Sequence, residues 1–534
     1  MGESSLRQCR SYLPDWQVIM ALAPFFEKTA LAASHILQNF DLAKFLQMLD
    51  QHVVGVCLDD CGIASPEGRM TLDLAVNLLA RLYPRLSIVP SGHKAAAHVA
   101  HLTRLAKEIN PNIEIGSNIS EVSVALVVGG TFISASIPAV YIGSSGWIVK
   151  LSPNEPVGSG MSQNPFGAGA AACFGAANIF RLIFGASLPH GVPDGAFTLS
   201  LFNYETETDS IYNPELLSID LGETHLVGLG AIGNGAIWAL SHIPILSGVL
   251  HLVDNELIEL TNVQRYVLST MASEGKVKVG LAADQFGETR LKVVPHPQRW
   301  GEYLRCRNNW DLQKVMVALD SAQDRADVQA SLPRWIVNAW TQPGDLGVSR
   351  HDFISDQACL ICLYLPEPNQ KSEDELIAEA IGLPEAKLEV RELLYLGKPV
   401  GSEFVQRIAI AAGIPVEPLL LYSDQPLRSF YSKAVCGGII LGLGGDYQRA
   451  SRAEVPMAFQ SALAGIMLAA ELVVCGSGLR KTDLPTTTRI DLLRPLGNYL
   501  SVPAKKDLSK RCICQDPIYR SVYQEKYLAK KMMH

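Results

Sequence analysis

Residues 224–265 constrain this chain more than any other stretch. They open with an apolar run, Thr224 to Leu229, that reads as a buried parallel strand. Gly228, Gly230 and Gly233 follow at G-x-G-x-x-G spacing. The first two let the backbone turn tightly and approach a phosphate; the third lets the next helix pack close to the strand. That helix is expected to begin near Ile232, its free N–H groups directed at the phosphates. A second strand, Val249 to Val253, runs into Asp254, 21 residues after Gly233. An acid at that distance serves a ribose hydroxyl. Strand, glycines, helix, strand and acid in this order predict a nucleotide-binding α/β unit.

The residues after Asp254 narrow the chemistry. Asp254-Asn-Glu-Leu-Ile-Glu-Leu-Thr-Asn262-Val-Gln-Arg265 resembles the segment after the ribose acid in the ubiquitin-activating enzyme superfamily of ThiF-type adenylating enzymes, D-x-D-x-(I/V)-x-x-S-N-L-x-R-Q. The resemblance places Asn262 and Arg265 on ATP-contacting positions and Glu256 on an acidic one; Tyr266 stands where the family has Gln. Gly275-Lys-Val-Lys278 is similar to the family's G-x-x-K, whose lysine reaches the phosphates. Lys278 takes that position, with Lys276 as its local competitor. Lys314 to Arg325 reads as a strand ending in an acid and resembles A-L-D-N-x-x-A-R. By that likeness Asp320 holds Mg²⁺, a hard cation that prefers carboxylate oxygen. Capping the next helix is the other role open to such an acid. Pro456–Cys475 reads as a long apolar helix and resembles the family's closing helix, with Glu471 in place.

Eleven cysteines, an odd number, do not suggest a disulfide framework. Cys359-Leu-Ile-Cys362 and Cys512-Ile-Cys514 are two short pairs from distant segments. Together they supply the four soft ligands of a tetrahedral structural zinc; the family spaces its second pair C-x-x-C, and here it is C-x-C. Cys436 opens a glycine-rich loop with Lys433 three residues before it, a setting that favours a thiolate. It is the candidate nucleophile, with a structural thiol as the alternative. Cys57, Cys173 and Cys475 lie in apolar segments and read as core. Cys9, Cys61 and Cys306 lack supporting context.

Residues 1–215 alternate helix and strand in the same parallel-sheet manner, but Asp59-Asp-Cys-Gly stands where a phosphate loop would have its glycines. The expected fold is α/β, with two Rossmann-like parallel-sheet halves. The resemblance implies this division: 1–215 an inactive adenylation-like half, 216–366 the active domain with the ATP site and first cysteine pair, 367–435 a helical insertion, and 436–534 the nucleophile loop, closing helix and zinc tail. The two halves would form an internal pseudo-dimer. Phe166–Leu188 and Phe459–Leu479 are apolar enough to suggest membrane spans. They contain Asn178, Arg181, Gln460 and Glu471 and are expected to be buried helices instead. A net charge of −8, with no basic block, argues against nucleic acid and anionic membrane as partners. The N-terminus lacks a signal-peptide core, which suggests the cytoplasm.

The activity implied by the resemblance begins with ATP and Mg²⁺. The C-terminal glycine of a ubiquitin-like protein is adenylated, Cys436 takes the acyl group as a thioester, and a conjugating enzyme receives it. Two alternatives stay open. One is an activator of a sulfur carrier or peptide that makes no such handover. The other is an NAD-dependent oxidoreductase, for which no catalytic His or Tyr stands out.

Overall fold

In the computed structural model, the described residues are 21–527 apart from 207–211, 288, 308, 343, 366–371 and 432–454. The N-terminal half contains α1 (Phe26–Ser34), α2 (Leu42–Gln51), β1 (Val54–Asp59), α3 (Asp60–Ala64), α4 (Pro66–Ala80), β2 (Arg85–Ser91), α5 (His93–Ile109), β3 (Glu114–Gly116), β4 (Val124–Val128), β5 (Ala139–Ser145), β6 (Ile148–Ser152), α6 (Pro165–Phe184) and β7 (Phe197–Ser200). Its seven strands lie in the order β3-β2-β1-β4-β5-β6-β7. Strands up to β5 are parallel, and β6 and β7 run antiparallel.

The C-terminal half repeats this plan. It contains β8 (Ile219–Val227), α7 (Ala231–Ser241), β9 (Leu246–Val253), α8 (Lys278–Ala283), β10 (Arg290–His296), α9 (Trp300–Arg305), β11 (Lys314–Val317), α10 (Ala322–Ala330), β12 (Trp335–Gln342) and β13 (Asp345–His351). An insertion follows, with α11 (Glu373–Ala380), α12 (Lys387–Leu396), α13 (Ser402–Ala412), α14 (Glu417–Leu420) and α15 (Leu427–Phe430). Val390, Phe404, Ile408, Leu419 and Phe430 give the insertion its own small core. Then come α16 (Ala458–Ser477), β14 (Thr487–Ile490), β15 (Ser501–Val502) and α17 (Pro517–Tyr527). The sheet order is β10-β9-β8-β11-β12-β13-β14-β15, the N-terminal order with one strand added. α6 and α16 take equivalent places, each between the last two strands of the common order.

Two strand ends depart from expectation. β8 starts at Ile219 rather than Thr224, because a bulge between Asp220 and Glu223, with Gly222 at φ +58°, lets pairing with β9 continue past the irregularity. β11 ends at Val317, so Asp320 lies on the loop beyond it and not on the strand.

The two apolar segments are α6 and α16. By length and composition each could cross a bilayer, yet both are almost wholly buried within the protein. They pack between the two sheets with α7, where α7 and α16 meet backbone to backbone near Gly235 and Gly465. Small residues are needed for that approach. Polar groups on these helices are paired. Arg181 and Asn178 of α6 bind Asp194, the latter at 2.8 Å. Glu471 of α16 accepts from Arg350 at 2.6 and 2.7 Å and from Arg480 at 2.7 and 3.2 Å. Burial opposes its ionisation, but the two guanidinium groups outweigh it and hold the carboxyl down at about 2. Arg480 also donates to Phe202 O, at 2.9 Å from Nε, so this hub ties the closing helix to the N-terminal half.

Candidate functional site

In open α/β sheets, ligands bind beyond the carboxyl ends of the strands where the strand order reverses. In the C-terminal sheet that point lies between β8 and β11. The glycine loop leaves β8 there, and the Asp320 loop leaves β11 beside it. Gly228 has φ +92°, and a Cβ on it would lie 2.5 Å from Ala318 O, so only glycine brings the two loops together. A Cβ on Gly233 would lie 2.3 Å from Gly228 O, which is how the third glycine lets α7 start tight against the turn. Gly230 precedes the first residue of α7, whose free N–H groups open on the crevice.

Asp254 directly follows β9 across the loop. Its Oδ2 accepts from Leu229 N at 2.7 Å and its Oδ1 from Glu256 N at 2.8 Å. Burial holds its carboxyl above the ordinary range, against the pull of Lys278. Lys278 begins α8 and is buried, whereas Lys276 is exposed. Its Nζ lies 2.5 Å from Glu256 Oε2 and 3.0 Å from Tyr266 Oη. Burial works against the Lys278 charge, but Tyr266, Asp254 and Glu256 outweigh it and hold the ammonium above the usual lysine range. Glu256 is largely exposed, so its grip on Lys278 can yield to a phosphate.

Asn262 closes a short turn by accepting from Glu259 N at 3.0 Å. Arg265, three residues on, has a buried Nη1 with no hydrogen-bond partner among the described residues. A buried unpaired guanidinium nitrogen is costly, and an anionic ligand would satisfy it. Together with the Gly228 turn and the helix start, this set fits a nucleoside triphosphate. Asp320 is exposed at the crevice and does not cap α10, because Ser321 does, accepting from Asp324 N at 2.9 Å. Its carboxylate therefore offers oxygen to a hard cation. Arg325 braces that loop from behind, donating to Leu319 O and, at 3.2 Å, to Asp320 O.

Three residues not singled out in the sequence support this arrangement. Asn234 of α7 donates to Leu229 O at 2.9 Å and Gly230 O at 3.0 Å, and accepts from Leu268 N at 3.3 Å. Asn77 and Arg81, at the C-terminal end of α4, reach across from the other half. Asn77 donates to Val267 O at 2.9 Å; Arg81 donates to Val263 O and, at 2.9 Å, to Ser269 O. The segment presenting Arg265 and Tyr266 is thus held by the N-terminal half. No local pattern in the sequence marks these contacts.

The matching crevice of the N-terminal sheet lies between β1 and β4. There Asp59 is buried and takes the donors a phosphate would need. It accepts from Gly62 N at 2.8 Å, Gly130 N at 2.6 Å and Thr131 Oγ1 at 2.9 Å.

The four cysteines converge. Sγ distances are 3.3 Å for Cys359–Cys512, 3.6 Å for Cys362–Cys514 and 3.8 Å for Cys359–Cys362, and all four atoms lie within 4.8 Å of one another. Tetrahedral Zn–S bonds place sulfurs about 3.8 Å apart, so the cluster fits one zinc ion. α17 follows and docks through Tyr523 Oη to Arg334 O at 3.0 Å and Lys526 Nζ to Ser331 O at 2.9 Å. Of the remaining thiols, Cys57 and Cys173 are buried as expected. Cys475 is exposed, a correction: it lies near the end of α16, where the helix leaves the core. Cys61 and Cys306 are exposed. Cys436 and Lys433 lie outside the described residues.

A ThiF family profile matches residues 209–512, and a profile of Prokaryotic E2 family C matches residues 57–185. A Sinorhizobium fredii protein of uncharacterised function, y4jF, is 51% identical over 508 residues, covering 95% of this chain and 98% of its own length. The adenylyltransferase and sulfurtransferase UBA4 of Saccharomyces cerevisiae is 26% identical over 228 residues. That match covers 40% of this chain and 50% of the yeast protein.

Proposed function

This chain belongs to the ThiF family, and from that premise we propose that it activates the C-terminal glycine of a ubiquitin-like protein by adenylation. The observation that carries the reading is the convergence of Gly228, Asp254, Lys278 and Asp320 on one strand-reversal crevice. The glycine carboxylate attacks the α-phosphorus of ATP; a C–O–P bond forms, the bond to the β-phosphate oxygen breaks, and pyrophosphate leaves. Asp254 takes the ribose, and Asn262 lies beside the nucleotide. Lys278 and Arg265 supply charge-assisted donors to the phosphates, stabilising charge as it develops. Asp320 is the residue that would hold Mg²⁺, which neutralises phosphate charge. Catalysis is then positioning and electrostatics. The N-terminal half, its own crevice filled by Asp59, binds no nucleotide. It serves as the second member of a pseudo-dimer, bracing the Arg265 segment through Asn77 and Arg81. The four cysteines hold a structural zinc that ties the C-terminal tail to the sheet.

The Cys436 thiol then attacks the acyl carbon of the adenylate, a C–S bond forms as the C–O bond to the phosphate breaks and AMP leaves, and the thioester passes its acyl group to a thiol of the conjugating enzyme, freeing Cys436. The N-terminal match to a family named for E2 enzymes supports a conjugation pathway. A second reading, activation of a sulfur carrier without such a handover, is favoured by the yeast relative, an adenylyltransferase and sulfurtransferase. Family membership favours both over an NAD-dependent oxidoreductase.

The test is exchange of labelled pyrophosphate into ATP, with and without a ubiquitin-like partner. Partner-dependent exchange is expected, with Asp320→Ala abolishing it. Lys278→Ala should slow it roughly 10- to 150-fold, the loss of one charge-assisted contact of about 1.5–3 kcal/mol. Exchange at the wild-type rate in Asp320→Ala would remove that residue from the site.

A further inference from the structure

One side-chain cluster away from the crevice and the cysteines is arranged as a ligand set. α5 carries His98 and His101, three residues apart and so on one face of the helix. α4 carries Asp73 beside them. His101 Nε2 lies 3.1 Å and His98 Nε2 3.7 Å from the same oxygen, Asp73 Oδ1. The three donor atoms lie within 4.8 Å of one another. Tetrahedral metal–ligand bonds of about 2.0–2.1 Å separate the ligand atoms by about 3.3 Å, close enough to the spacing here for one ion to bridge them with side-chain adjustment. His98 Nε2 is shielded from solvent and has no hydrogen-bond partner among the described residues.

We propose that Asp73, His98 and His101 bind one divalent transition-metal ion, clipping α4 to α5. Two imidazoles and a carboxylate suit such an ion. The surrounding cations leave the three donor atoms clear. Arg104 is exposed and touches only the outer Nδ1 of His101, at 3.4 Å; Arg69 is turned to Ile63 O at 2.6 Å. The other histidine cluster, Glu223, His225 and His251, is built differently. Arg307 stands inside it, with Nη1 2.8 Å from His225 Nε2 and Nη2 2.9 Å from Glu223 Oε1. That cluster already contains its cation. The clip at Asp73 has a structural consequence, because Asn77 lies four residues further along α4 and Arg81 follows its last residue. The metal would steady the element that braces the Arg265 segment.

The test uses untagged full-length protein titrated with cobalt(II) and followed by visible absorption. Wild type should bind an ion whose spectrum lacks the intense sulfur charge-transfer band of thiolate-bound cobalt. His98→Gln with His101→Gln should weaken that binding at least about tenfold, and Asp73→Asn, which keeps the side-chain shape, should weaken it too. Cys512→Ser with Cys514→Ser should remove any sulfur band and leave the nitrogen-and-oxygen ion bound. Equal uptake by wild type and the double-histidine variant overturns the site. So does wild-type uptake that fails to saturate at millimolar cobalt.

Discussion

Replacing Arg81 by Met should weaken the protein and slow its chemistry together. Arg81 is 2% exposed, and the partners of its guanidinium are neutral: Val263 O, Ser269 O at 2.9 Å and Asn77 Oδ1 at 3.1 Å. Burial pushes its pKa down to about 9, so it is charged at neutral pH. Methionine keeps the apolar stem but removes all three donors. Two main-chain carbonyls of the 263–269 segment then lose a partner, at about 1–3 kcal/mol each. Removing a buried charge offsets part of this, leaving a net loss of about 2–4 kcal/mol. The segment is a short loop, so part of the loss appears as local opening rather than global unfolding. Urea denaturation and ATP–pyrophosphate exchange are measured on the same preparation. Exchange should fall well below wild type under conditions where Arg81→Met is still folded. Arg81→Lys, which reaches one carbonyl, should recover part of it. Wild-type exchange by folded Arg81→Met would show that the segment keeps its geometry without help from the N-terminal half.

Purified protein should carry about one zinc per chain, and removing the tail from Lys510 onward should release it and lower stability; metal analysis finding no zinc would refute the four-cysteine site. Cys436→Ala should still exchange pyrophosphate yet form no thiol-sensitive adduct with the ubiquitin-like partner on a non-reducing gel. An adduct that persists would move the nucleophile to Cys306 or Cys61, and wild type that adenylates without an adduct would favour the sulfur-carrier reading. Glu471→Gln should cost about 3–5 kcal/mol, because it leaves two buried guanidinium groups without their carboxylate; a denaturation midpoint near wild type would refute the hub. Stability should also fall below pH 6.5. His225, buried beside His251 and Arg307 and facing Tyr303 and His296, is held down at about 3. Between the two values the unfolded chain takes a proton that the folded one refuses, so stability is full above pH 6.5 and declines as pH falls towards 3. The loss from this group is about 2 kcal/mol by pH 5, and a His225→Gln slope as steep as wild type would refute the assignment.

The strand-reversal crevice was legible where local pattern carries it. Gly228, Gly233 and Asp254 follow a strand–turn–helix–strand unit and Lys278 the helix after it, a spacing set by backbone geometry over some fifty residues, and the structure places them around one crevice. The α/β alternation was readable for the same reason, since buried parallel strands and packed helices differ in length and apolar periodicity. The end of β11 was not, because where a strand stops depends on its neighbours' pairing; Asp320 consequently belongs to a loop. Nor was the exposure of Cys475, which follows from where α16 leaves its packing partners rather than from its apolar surroundings. That the two sheets share one strand order is a fact of long-range pairing, and sequence periodicity carries no information about which strands become neighbours. The same holds for Asn77 and Arg81, which meet their partners across about 190 residues of chain, and for Asp59, whose three donors come from α3 and from the loop after β4. Side chains that hold distant segments leave no periodic trace along the chain, because only the folded packing decides what stands opposite them.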